Sequence, residues 1–154
     1  MKKQYYFIAS LILTFWLTGK AQLERTNWIF GSGADPSEFS IDNSGNIGAL
    51  VGAGPNAGAL NSTEGITVVS DPNTGNLLFY TDGMTVYNKS HLVMPNGTGL
   101  LGNNSSTQSG IIVKKPASST IYYVFTVDGA SGSAGGFNYS EVDMTLDGGL
   151  GDIN

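Results

Sequence analysis

One pattern occurs twice in this chain, and it restricts the fold more than any other feature. The first copy runs from Thr63 to Asn88. Ile66 to Ser70 is apolar and β-branched, and Asp71-Pro72-Asn73-Thr74-Gly75 is a turn. Leu77 to Thr81 reads as a second strand, Asp82-Gly83 as a second turn and Thr85 to Tyr87 as a third strand. The second copy begins at Gly110. Gly110-Ile111-Ile112-Val113 follows Gly65-Ile66-Thr67-Val68, Pro116 follows Pro72, Ile121 to Thr126 follows Leu77 to Thr81, and Asp128-Gly129 follows Asp82-Gly83. The offsets are 45 residues at Gly65, 44 at Pro72 and 46 at Gly83. That spacing suits four-stranded propeller blades, which repeat every ~40–50 residues.

The spacing predicts an all-β chain built as a partial β-propeller of two to three blades. A two-sheet β-sandwich is the alternative, since it buries the same apolar faces against each other. In either case the two copies are expected to lie face to face rather than side by side in one sheet. In Leu77-Leu78-Phe79-Tyr80 both strand faces are apolar, as in a strand sandwiched between layers. A closed propeller has ~4–8 blades. Two copies therefore leave the Leu77–Tyr80 and Ile121–Phe125 strands each short of a neighbour on one side. We expect a fragment of a longer protein, or a chain that assembles.

The remaining segments fit this picture. Trp28-Ile29-Phe30-Gly31 reads as a strand. Asp35-Pro36 starts a turn, and Phe39, Ile41 and Ile47 flank a hairpin signal at Asp42 to Asn46. Gly48 to Ser62 is Gly-, Ala- and Asn-rich and reads as a long connection. His91 to Met94 is a candidate fourth strand, followed by a Pro95-Asn96-Gly97 turn. Asn138 to Met144 is a further strand, with Val142 and Met144 inward and Tyr139, Glu141 and Asp143 on the other face. No terminating element is evident after the Asp147-Gly148-Gly149 turn.

Residues 1–21 read as a signal peptide. Lys2 and Lys3 precede an apolar core from Tyr5 to Leu17, which is short for a membrane span of ~20 residues. Gly19 and Ala21 supply small residues for cleavage before Gln22. Contact with a membrane is thus expected only in transit, and residues 22–154 form the propeller-like domain. Its cations are Arg25, Lys89, Lys114 and Lys115, which against 12 carboxylates leave a charge of −8. Such a domain is a poor partner for nucleic acid. Lys114-Lys115 reads as a guard at a strand end. Cysteine is absent and His91 is the only histidine. That excludes a disulfide framework, thiolate chemistry and a multi-histidine metal site within the chain.

Candidate sites are few. Asp71, Asn73 and Gly75 have the alternating spacing of a calcium loop, and Asp82 stands at its twelfth position. Calcium is the one cofactor the spacing allows, although Pro72 between two strands makes a sound turn without it. Glu64, Asp82, Glu141 and Asp143 offer carboxylates, but no glycosidase pairing is legible. Ser90 and His91 lack a nucleophile elbow, and Gly129-Ala130-Ser131-Gly132-Ser133 only approximates one. Tyr80, Tyr87, Tyr122, Tyr123, Phe125 and Tyr139 are core or cross-strand residues, or else a platform for sugar rings.

Taken together, Trp28-Ile29-Phe30-Gly31, SDPNTGNLLFYTDG (70–83), QSGIIVKKP (108–116), YYVFTVD (122–128) and YSEVDMTLDGGLGD (139–152) carry a family likeness. The chain resembles the N-terminal propeller-like region of large Bacteroidetes cell-surface proteins. These often carry PKD-type repeats and a gliding-motility-associated sorting domain for type IX secretion. The resemblance implies delivery to the outer cell surface. With no catalytic set legible in the residues, we expect a non-enzymatic scaffold or adhesion-related role, with other surface proteins or glycans as partners. A carbohydrate-binding or carbohydrate-active domain is the alternative.

Overall fold

The structure is a computed structural model that describes residues 23–31, 37–42, 44–49, 51–52, 60, 62–130 and 135–154. The leader, the Asp35-Pro36 turn, much of the Gly48–Ser62 connection and Ser131 to Ser133 lie outside the described residues. The described chain is all β. Three antiparallel sheets follow one another in sequence, and none closes into a barrel.

The first sheet contains β1 (Asn27–Phe30), β2 (Ser37–Ser40) and β3 (Val51–Gly52). The second contains β4 (Thr67–Ser70), β5 (Leu77–Thr81), β6 (Thr85–Asn88) and β7 (Val93–Thr98), in that spatial order. The third contains β8 (Gly110–Lys114), β9 (Ile121–Val127), β10 (Phe137–Asp143) and β11 (Asp152–Ile153), also in chain order. Each four-stranded sheet is a meander, as in a propeller blade.

The turn chemistry explains the strand limits. Asp71 Oδ1 accepts hydrogen bonds from the Asn73 and Thr74 amides and so closes the β4–β5 turn. Asp82 does the same for Met84 and Thr85 between β5 and β6, with Gly83 at φ 91°. Asp42 closes the first-sheet hairpin through the Ser44 and Asn46 amides. The repeated Asp128-Gly129 differs from its counterpart. It opens the long β9–β10 connection, which ends where Phe137 pairs with Val127.

The two copies of the repeat lie in separate sheets that pack face to face. Val69, Phe79, Val86 and Met94 of the second sheet meet Tyr122, Val124 and Val142 of the third. At the centre Phe79 and Tyr122 form an edge-to-face pair, with centroids 5.5 Å apart. The other face of the second sheet supplies a second interior layer. There Tyr80 and Tyr87 stack at 5.1 Å and pack with Ile29 and Leu60. Burial pushes the phenol pKa of both tyrosines up, that of Tyr87 to about 12, so both stay neutral.

Polar contacts tie the layers at their margins. The Thr67 hydroxyl donates to the Gly110 carbonyl, and Asn27 Nδ2 donates to Ser70 Oγ and to the Gly75 carbonyl. At the opposite margin the Asn96 amide and side chain both donate to Asp152, each at 2.8 Å. The Asn103–Ser109 connection crosses between the sheets over Gly65. A Cβ at Gly65 would lie 2.9 Å from the backbone of Ser106, Thr107 and Ser109.

Four sequence expectations are corrected. The second sheet is covered on both faces, because the first sheet supplies the missing neighbour; of the two repeat copies only the third sheet remains one-sided. The fourth strand of the second sheet is not His91 to Met94. It runs Val93–Thr98 and bulges at Pro95-Asn96-Gly97, between the pairs Tyr87–Val93 and Thr85–Thr98. Pro95 is tolerated because β7 is an edge strand, where a missing N–H need not break a ladder. The connection after Gly48 contains β3, and the chain after Gly149 ends in β11.

Candidate interaction surfaces

The nominated polar residues do not form one site. Asp71, Asn73 and Gly75 lie in the β4–β5 turn, and Asp82 lies beyond the far end of β5. Five strand residues at ~3.4 Å each hold them roughly 17 Å apart. Asp82 is buried and already bonded to its own turn. Hydrogen bonds from the Thr74 and Asn73 amides hold the Asp71 carboxyl below the usual range. Among the described residues, no three His, Asp or Glu side chains gather to hold a metal ion.

The other carboxylates are also dispersed and engaged. Glu64 accepts from Thr107, Asp143 from Thr145, and Glu141 pairs with Lys115 at 2.9 Å. His91 joins the first and second sheets instead of facing a serine. Its Nδ1 lies 3.2 Å from the Tyr80 hydroxyl and its Nε2 3.6 Å from Glu38.

The aromatic residues separate into two groups. Tyr80, Tyr87 and Tyr122 are core. Tyr123, Phe125 and Tyr139 share the outer face of the third sheet. The register requires this, since Phe125 pairs with Tyr139 and Ile111, and Tyr123 with Val113. Phe137, opposite Val127, extends the patch. The rings pack on one another: Phe125 on Phe137 at 5.5 Å, and Tyr123 edge-on to Tyr139 at 5.8 Å. Yet Phe137 is 68% exposed, Tyr139 63% and Ile111 50%. Lys115 Nζ lies 5.4 Å from the Tyr123 ring centre, at one border of the patch.

A matching patch lies at the other end of the stack. In β1 Ile29 turns inward, so Trp28 and Phe30 turn outward, and the register places Phe39 beside them. Trp28 stacks on Phe39 at 6.0 Å, and Phe30 meets it at 5.4 Å. Trp28 is 47% exposed and Phe30 39%. Between the two ends a cleft of about 590 Å³ opens where β1, β4 and β8 approach one another. Arg25, Trp28, Gln108, Lys114 and Tyr122 are among its lining residues. Its charged lining residues are Arg25, Lys114 and Glu24 among the described residues.

Comparison with protein-family models, with curated proteins and with solved structures finds no match. The surfaces must therefore be interpreted from their own chemistry. Two flat aromatic faces bordered by a few charges are suited to contact with another apolar surface. Sequence reasoning missed Phe137, Trp28 and Phe30 as surface groups. The alternation of Ile111 with Val113 and of Tyr123 with Phe125 was the available signal, because period-two apolar residues on both faces require a cover on each.

Proposed function

We propose that the chain is an exported, non-enzymatic scaffold or interaction module that works by sheet-face contact. One observation carries this reading: the third sheet leaves Phe125, Phe137 and Tyr139 on an uncovered face. Contiguous exposed apolar patches of this kind mark contact sites in folded proteins. The leader pattern of residues 1–21 supports the exported part. The dispersal of the carboxylates and of His91 supports contact over catalysis.

A photo-reactive amino acid at position 139, introduced in producing cells, tests the reading. The expected result is a covalent adduct with a polypeptide, in a chain whose mature N-terminus is Gln22. A chain that remains in the cytosol with residues 1–21 attached, or that forms no adduct, refutes it. Cross-linking to polysaccharide alone would favour the sugar-platform alternative, for which the exposed Tyr139 ring is the specific support.

A further inference from the structure

The two ends of the stack are both aromatic, both uncovered and chemically alike. We propose that they bind each other in a second copy of this chain, closing two copies into a ring of six sheets. This rests on the contact-module reading and names the partner.

Three features point to a second copy. First, the outer face of the third sheet repeats the surface that the second sheet offers its neighbour. Phe125 stands 46 residues after Phe79, and both point away from the preceding sheet. The exposed face thus continues a packing series already made twice within the chain. Secondly, the face it would meet is present: Trp28, Phe30 and Phe39 occupy the outer side of the first sheet. Thirdly, the area favours closure. At ~200 Å² per ring, the exposed fractions of Trp28, Phe30, Phe137 and Tyr139 amount to about 430 Å² per contact. Ile111, Val113 and Val127 raise this to roughly 600 Å². A single contact of that size is no larger than chance packing, whereas two together approach the ~1,200 Å² of a stable interface. Only in a closed pair do the same two chains share both contacts. Its six sheets fall within the ~4–8 of closed propellers, and β1, β4 and β8 already border one cleft around which they would arrange.

Sedimentation of the full chain at micromolar concentration decides the matter. The expected mass is twice that of one mature chain (residues 22–154), without further growth. Glutamate at positions 137 and 139 (F137E/Y139E) should weaken dimerisation about 100-fold or more, and Trp28→Glu should do the same. Mixing the two variants should not restore it, because one of the two contacts stays broken. A cooperative thermal transition in the dissociated variants, matching that of the wild type diluted to monomer, shows that they are folded. A monomeric wild type overturns the proposal, as does a dimer that survives Trp28→Glu, or a mass that climbs steadily with concentration. A monomer that still forms an adduct with another polypeptide through position 139 overturns the second copy and leaves the contact-module reading standing.

Discussion

Phe79 and Phe125 occupy equivalent places in the repeat but different surroundings, and that contrast yields the sharpest prediction. Phe79 is completely buried between the second and third sheets, edge-to-face with Tyr122. Truncation to alanine removes most of a ring of ~200 Å², worth up to about 5 kcal/mol at ~25 cal/mol per Å². Large-to-small substitutions of this type cost about 3–5 kcal/mol, and the lost ring pair accounts for about 1 of these. We expect Phe79→Ala to lower unfolding free energy by about 4 kcal/mol, a large share of the ~5–15 kcal/mol typical of a domain. Phe125 has neighbours in its own sheet but no covering layer, so Phe125→Ala should cost about 1 kcal/mol in the dissociated chain. Urea titration of each variant, at a concentration where the wild type is monomeric, measures both. Equal losses would refute the assignment of inner and outer faces, and so would a loss at Phe79 below about 1 kcal/mol.

Further outcomes follow from the turns and margins. Gly65→Ala should reduce stability by about 1–3 kcal/mol, seen as a melting temperature lower by about 3–9 °C, because the new Cβ meets backbone that cannot yield easily. Asp152→Ala strips Asn96 of two acceptors at the β7–β11 margin and should cost about 1–3 kcal/mol in the same assay. The Asp71 carboxyl titrates below its ordinary 3.8, so its stabilisation is fully present above that pH and disappears as pH falls through the lower folded value. Replacing Asp71 with Asn should accordingly flatten the acid limb of a stability–pH curve below about pH 4 without moving the neutral plateau's pH dependence. Addition of calcium or a chelator should leave the melting temperature unchanged, since Asp71 and Asp82 are separated by the length of β5.

The sequence showed most clearly what local chemistry determines. β5 is bounded at Leu77 and Thr81, as read, because an Asp-containing turn closes each end. The repeat also indicated stacking, since apolar residues on both faces of β5 need two covers. Elements held by distant partners were not legible. β11 is two residues long, and Asp152 is held by Asn96, 56 positions earlier. β7 was displaced because Pro95-Asn96-Gly97 reads as a turn locally, whereas Met94 and Gly97 are buried by the rest of the fold. The aromatic face was half legible. Alternation announces that Tyr123 and Phe125 share a side, but which side remains uncovered depends on every other sheet.

Pro95 has a wider consequence. It lies on the outermost strand of the second sheet, while Lys114 ends β8 at a margin of the third. A ring nitrogen without hydrogen and a hydrated ammonium both discourage a foreign strand from zipping alongside. Lateral fusion of this greasy, cysteine-free protein into fibrils is thereby obstructed at these two borders, and sticking is channelled along the stacking axis, where partner choice depends on ring-to-ring fit.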